Sequence, residues 1–104
     1  MISSIIWAKD VGTIARGRAQ AHLSDGLRPP FDLLFAQWKS DPKMYVRGRA
    51  ISDSVGWNIK HSPNQLVERI RDAVADIGFD VDSHSWYGYR LADLLSEEYK
   101  DASE

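Results

Sequence analysis

The chain of 104 residues has no cysteine, which excludes several kinds of site. Without cysteine there is no disulfide bond, no thiolate zinc site and no cysteine nucleophile. The sequence also lacks the two common phosphate-loop patterns, G-x-x-x-x-G-K-S/T and G-x-G-x-x-G, and the G-x-S-x-G pattern around a catalytic serine. We therefore expect a protein that is not an enzyme and that binds no cofactor.

Long apolar runs are missing as well. The apolar stretch at residues 1–7 is too short to span a membrane, and it lacks the charged start of a signal peptide. Together with the lack of cysteine, this predicts a cytoplasmic protein that does not enter a membrane. The length and the 43% of apolar residues predict one compact domain over residues 1–104, with residues 100–104 frayed.

Histidine is scarce, and no histidine has a second one three or four positions away. The only spacing typical of metal ligands is Asp80-x-Asp82-x-His84, whose side chains would share one face of an extended segment. A helix cap at Asp82 and a solvent-facing Asp80 explain the same residues without a metal. We therefore expect no metal site.

Arginine, in contrast, is clustered. The tetrapeptide Arg-Gly-Arg-Ala occurs twice, at residues 16–19 and 47–50, with different flanking residues. The two copies contain four of the eight arginines, namely Arg16, Arg18, Arg47 and Arg49. A planar guanidinium binds carboxylates or phosphates through two parallel hydrogen bonds. These arginines either bind an acidic partner or nucleic acid, or they pair with the acidic half of this chain.

That acidic half is visible in the distribution of charge. Residues 1–63 contain nine Lys and Arg against five Asp and Glu, a balance of +4. Residues 64–104 contain four against ten, a balance of −6, so that the whole chain has a net charge of −2. The two halves can neutralise each other in the folded domain, or the basic half can form a binding face.

Apolar residues at helical spacing predict a mainly α fold of four to five short helices. Helices are expected over residues 5–23, 30–40, 42–54 and 63–77, and a last one begins after Asp82 or Ser83. Residues 57–59 and 79–81 indicate a minor two-stranded β element, and Tyr45 and Val46 favour a strand over residues 44–49. An α+β fold is the alternative.

The segment Ser-Trp-Tyr-Gly-Tyr-Arg at residues 85–90 is the strongest candidate for a binding site. Adjacent positions on a helix lie about 100° apart, so at least one of its three aromatic side chains should be exposed. Trp, Tyr and Arg are the usual anchors of protein interfaces. The candidate partner-binding residues are Trp86, Tyr87, Tyr89, Arg90, Arg47 and Arg49. The alternative is that this segment fills a groove beside the helix at residues 63–77.

These features predict a non-catalytic protein that regulates or inhibits a partner protein by covering a functional surface. In size and in its lack of enzyme motifs the chain is similar in type to small accessory proteins of phages and other mobile elements, although it carries no family motif. The alternative is a nucleic-acid-binding regulator that uses Arg16, Arg18, Arg47 and Arg49, against which stands the sequence pI of 5.9. The exposed aromatics also allow a homodimer.

Overall fold

The structure is a computed structural model that describes residues 5–56 and 62–95. Within these ranges the fold is α+β, with three α-helices and five strands in two antiparallel sheets. The elements in chain order are β1 (Ile5–Ala8), β2 (Thr13–Arg16), β3 (Ala19–His22), α1 (Arg28–Ser40), α2 (Gly48–Ser54), α3 (Pro63–Val74), β4 (Phe79–His84) and β5 (Gly88–Asp93). The prediction of a mainly α fold is therefore wrong, and the alternative α+β fold is the one observed.

The first predicted helix, over residues 5–23, is replaced by the sheet β1-β2-β3. Trp7 pairs with Ile14, and Ile14 pairs in turn with Ala21 on β3. The physical reason for the error lies in the two glycines of this stretch. Gly12 has φ 71° and Gly17 has φ 59°, and each reverses the chain in a conformation that a helix cannot contain.

The last predicted helix is wrong over the described residues, since β4 and β5 form a hairpin there. Their register runs from Phe79 opposite Asp93 to His84 opposite Gly88, and residues 85–87 form the turn. Gly88 has φ 107°, and a Cβ at this position would overlap the carbonyl of Val46. The expected strand over residues 79–81 is part of β4, whereas residues 57–59 lie outside the described residues.

Two helices agree with the prediction because local signals define their ends. α1 has proline in its first turn and ends at Ser40, before Asp41 and Pro42. At the start of α3 the Ser62 side chain accepts a hydrogen bond from the Gln65 N–H at 3.3 Å. After α3, a 3-10 turn over Ala75–Ile77 leads to Gly78, which caps it with φ 84°.

The third predicted helix, over residues 42–54, begins only at Gly48. The segment before it is extended, and Val46 forms a β-bridge with Tyr89. The Val46 N–H donates to the Tyr89 carbonyl at 2.6 Å, and the Tyr89 N–H donates to the Val46 carbonyl at 2.8 Å. The expected helix over residues 42–54 and the competing strand over residues 44–49 are therefore each correct in part. The bridge ties the start of α2 to β5.

A chain of aromatic contacts joins the two sheets through α1. Trp7 of β1 contacts Phe31 at a ring distance of 4.7 Å, and Phe35 and Trp38 continue the series along α1. Trp38 then meets Phe79 of β4 edge-on at 5.4 Å. Phe31 and Phe79 are fully buried, and the same core includes Leu66, Val67, Ile70 and Val74 of α3. In the described part of the chain, no helix has the length and apolar character needed to cross a membrane.

Candidate functional site

The turn of the β4–β5 hairpin presents two large aromatic side chains to solvent. Trp86 is 87% exposed and Tyr87 is 62% exposed. The backbone N–H of Trp86 donates to Nδ1 of His84 at 3.1 Å, which closes the turn on its own strand. The indole is therefore exposed to solvent on a turn that makes a hydrogen bond back to its own strand.

Three rings surround the base of this turn, and we call Tyr45, His84 and Tyr87 the aromatic cluster. The His84 and Tyr87 rings lie 4.5 Å apart, and Tyr45 lies 5.8 Å from His84 and 5.7 Å from Tyr87. The guanidinium of Arg90 stacks on Tyr45 at 4.9 Å and pairs with Asp82 at 3.1 Å. These contacts hold Tyr45 against the hairpin, and the charge of Arg90 is paired with Asp82.

Beside the cluster lies an open cavity of about 600 Å³, which we call the tip groove. Its walls are the beginnings of α2 and α3 and the end of the hairpin. The lining residues are Arg47, Gly48, Asn64 and residues 83–89. Gly48 keeps the groove open, because a Cβ there would lie 3.3 Å from Pro63 and 3.4 Å from the ring of Tyr89.

Tyr89 is the buried side of the groove. It is 9% exposed, and its hydroxyl donates to Oδ1 of Asn64 in the first turn of α3. Burial raises the pKa of Tyr89 above its ordinary value, and the positive charge of Arg71 lowers it in part. Tyr89 therefore remains a neutral phenol near neutral pH and holds the hairpin against α3.

Most arginines of the described chain are paired with a carboxylate. Five have a carboxylate oxygen within 4.0 Å, namely Arg16, Arg28, Arg49, Arg71 and Arg90. Among the described residues, no carboxylate lies within that distance of Arg18, Arg47 or Arg69. Of these three, Arg47 alone lines the tip groove, and it is the one fully charged side chain in the lining.

The structure brings four of the six candidate partner-binding residues together. Trp86, Tyr87, Tyr89 and Arg47 all line the tip groove. Arg90 lies behind it in contact with the aromatic cluster. Arg49 lies one residue into α2, where its side chain is 91% exposed and only weakly paired with Asp53 at 3.9 Å. Tyr89, being buried, supports the site rather than presenting surface to a partner.

The four arginines of the nucleic-acid hypothesis do not form one surface. The Arg16 side chain is 9% exposed, its guanidinium lies 4.4 Å from the Phe79 ring, and Nη2 lies 2.5 Å from Oδ1 of Asp93. Nη2 makes no well-directed hydrogen bond, so this contact is an ion pair. Arg18 projects from the β2–β3 turn, while Arg47 and Arg49 flank the start of α2.

The spacing of Asp80, Asp82 and His84 serves other contacts. Asp80 pairs with Arg71 at 2.9 Å, Asp82 pairs with Arg90, and His84 accepts the Trp86 N–H. Across residues 5–56 and 62–95, no group of three or more His, Cys, Asp or Glu side chains is placed to hold a metal ion.

Sequence reasoning missed three residues of the site: Tyr45, Asn64 and His84. Tyr45 and Asn64 are brought to the hairpin tip by contacts between distant parts of the chain, whereas His84 belongs to the hairpin itself. The Val46–Tyr89 bridge positions Tyr45, and the hydrogen bond from the Tyr89 hydroxyl to Oδ1 of Asn64 holds Asn64 beside the hairpin. The β propensity of Tyr45 and Val46 is the one local signal that could have suggested the bridge. No protein-family model matches the chain, and no curated protein matches its sequence.

Proposed function

We propose that this chain is a non-catalytic binding protein that regulates or inhibits a partner protein by covering a functional surface of that partner with the hairpin tip. The observation that carries the proposal is the 87% exposure of Trp86 on a turn that is closed by a hydrogen bond to His84. Burying a large aromatic side chain at an interface stabilises the complex by about 1.5–3 kcal/mol. Aromatic anchors of this kind dominate many protein interfaces.

Each candidate residue has a distinct part in this proposal. Trp86 and Tyr87 are the anchors that enter the partner, and Arg47 supplies the charge beside them. Tyr89 and Arg90 hold the anchors in place from the protein side. Arg49 lies at the rim, where an exposed charge affects the association rate more than the affinity. The similarity in type to accessory proteins of phages and mobile elements belongs to the same proposal.

The matched experiment compares two double variants in affinity capture from a cell lysate, with and without nuclease. Trp86→Ala/Tyr87→Ala removes the two exposed anchors. Ile6→Ala/Val11→Ala removes two other exposed apolar side chains, 63% and 58% exposed, from the three-stranded sheet region. We expect the wild-type chain to capture a stoichiometric partner protein, and we expect nuclease treatment not to release it. The control variant should retain this partner, and Trp86→Ala/Tyr87→Ala, which we call the tip variant, should lose it.

The captured protein is then assayed for its own activity with increasing amounts of this chain. A fall in that activity, absent with the tip variant, supports regulation or inhibition. Equal capture by the wild-type chain and a folded tip variant would contradict the proposed surface. Partners that disappear on nuclease treatment would favour the nucleic-acid alternative, which retains Arg18, Arg47 and Arg49 as its exposed arginines.

A further inference from the structure

We infer that the tip groove binds an acidic segment of the partner, with a carboxylate at Arg47 and a neighbouring apolar side chain against Trp86 and Tyr87. The inference rests on the proposed function and adds the chemistry of the segment that is bound. It follows from the charge, the hydrogen-bonding groups and the aromatic surface of the groove.

The charge of the groove favours an anion. Arg47 is exposed, lines the groove, and has no carboxylate within 4.0 Å among the described residues. The nearby carboxylate of Asp82 is already paired with Arg90. The lining itself contains no Asp or Glu. A basic segment would therefore meet a like charge and find no counter-ion, whereas a carboxylate gains a bidentate partner.

The neutral polar groups of the groove also favour a ligand that accepts hydrogen bonds. Oδ1 of Asn64 accepts from the Tyr89 hydroxyl, which leaves the amide NH₂ of Asn64 as the group that can donate into the groove. Ser83 and Ser85 are exposed and line the same cavity, and their hydroxyls can donate as well. Donors on three residues together with the Arg47 guanidinium suit the oxygens of a carboxylate.

The turn of the β4–β5 hairpin determines which apolar side chain the bound segment should contain. Trp86 and Tyr87 line the groove and continue beyond it into solvent, so a ligand whose carboxylate reaches Arg47 lies next to aromatic surface. A ligand that contained only an Asp or Glu would leave the aromatic surface of Trp86 and Tyr87 exposed to solvent. An acidic residue close to a Trp, Phe or Leu satisfies both parts of the site. A cavity of about 600 Å³ is in the range that accommodates such a group of side chains.

A polynucleotide fits the same groove less well. Its bases can stack on Trp86, but every nucleotide adds a phosphate that needs a cation along its path. The groove offers one fully charged side chain, and the chain as a whole has a net charge of −2. One or two carboxylates match this supply of positive charge, so the observations favour an acidic protein segment.

The experiment selects binders of the full chain from a display library of random peptides of about 12 residues. We expect selected peptides to be enriched in Asp and Glu within a few positions of Trp, Phe or Leu. For a labelled peptide from the selection, Arg47→Glu should weaken binding about tenfold or more. Arg18→Glu is the charge-matched control at another exposed, unpaired arginine, and it should leave affinity within about twofold.

The same peptide with its carboxylates changed to amides should also lose about tenfold in affinity. Selection of neutral or basic peptides, failure to select any peptide, or equal binding by a folded Arg47→Glu variant overturns the inference. A labelled thymidine oligonucleotide that binds in an Arg47-dependent way while no acidic peptide is selected overturns it in favour of nucleic acid. Light scattering tests for a dimer of this chain. If Trp86→Ala/Tyr87→Ala abolishes such a dimer, a second copy of the chain occupies the groove and the inference is overturned.

Lysate capture separates this inference from the proposed function. If Trp86→Ala/Tyr87→Ala loses the partner and Arg47→Glu retains it, the binding function stands and the acidic segment is wrong. If both variants lose the partner while Arg18→Glu retains it, both proposals are supported. If neither variant changes capture, the hairpin tip is not the interface and both proposals fail.

Discussion

The two Arg-Gly-Arg-Ala segments have the same sequence but different structures. In the first, Arg16 ends β2, Gly17 and Arg18 form a two-residue turn, and Ala19 begins β3. In the second, Arg47 precedes α2 and Gly48 is its first residue. The Arg16 side chain is paired inside the fold, whereas Arg47 is exposed beside the tip groove. The difference shows that the tertiary fold, and not the local sequence, determines whether an arginine is paired with a carboxylate or left exposed.

The glycines of the two segments serve different physical needs. Gly17 has φ 59° at the first position of a hairpin turn, a conformation that side chains with a Cβ rarely adopt. Gly48 has no positive φ, and it is useful because the ring of Tyr89 and the ring of Pro63 come close to it. Gly17 therefore allows the turn between β2 and β3, and Gly48 avoids a side chain that would narrow the tip groove.

The largest expected difference between the copies is in stability. Arg16→Ala removes the partner of Asp93, whose side chain is 15% exposed, and it also removes the cation from the Phe79 ring. Leaving a carboxylate unpaired in a mostly buried site should lower the free energy of unfolding by about 3 kcal/mol. Arg47→Ala should change it by less than about 0.5 kcal/mol. Urea denaturation of the two variants measures both values.

Asp93 provides the control for this contrast. In the double variant Arg16→Ala/Asp93→Ala no charge is left unpaired, so part of the lost stability should return. Equal stability of Arg16→Ala and Arg47→Ala would show that the ion pair with Asp93 contributes little, and it would remove the distinction drawn between the two copies.

The glycines sharpen the comparison at a smaller magnitude. Gly17→Ala places a Cβ on a residue with positive φ, which should cost about 1–2 kcal/mol. Gly48→Ala meets Pro63 and Tyr89 at ordinary to slightly short distances, so we expect a change within about 0.5 kcal/mol. The new methyl group narrows the groove, so Gly48→Ala should weaken peptide binding. Gly17→Ala should not weaken it, and a reversed pattern in denaturation and binding assays would contradict the assignment.

The parts of the fold that were predictable are those with local signals. α1 has prolines in its first turn and ends at Ser40, and α3 follows the Ser62 cap and leads through a 3-10 turn to Gly78. Their buried faces follow from helical spacing alone, which needs no knowledge of the rest of the chain. The expected strand at residues 79–81 is likewise a local signal, and it forms the first half of β4.

The sheets were missed because their evidence is not local. Trp7, Val11 and Ile14 have helical spacing, yet the positive φ of Gly12 and Gly17 folds this stretch into strands. The hairpin at residues 79–93 depends in part on Gly88 approaching Val46, a contact between positions 42 residues apart. The candidate site was found in part, because Trp86 and Tyr87 stand out by composition. Its partners Tyr45 and Asn64 become visible only when β5 is in place.

The pH-dependent part of the comparison concerns Tyr89, whose ring lies against Gly48 of the second Arg-Gly-Arg-Ala segment. Tyr89→Phe loses the hydrogen bond to Asn64 and should cost about 1 kcal/mol near neutral pH. Because burial raises the pKa of Tyr89 in the folded state, the wild-type protein loses this stabilising contribution as pH rises above about 10, the unfolded value. The gap between the wild-type and Tyr89→Phe unfolding free energies should therefore narrow above that pH. Chemical denaturation from neutral pH to about pH 11 tests this, with Tyr87→Phe at the exposed turn as the control. A gap that stays constant would mean that the Tyr89 phenol is well solvated and does not hold the hairpin against α3.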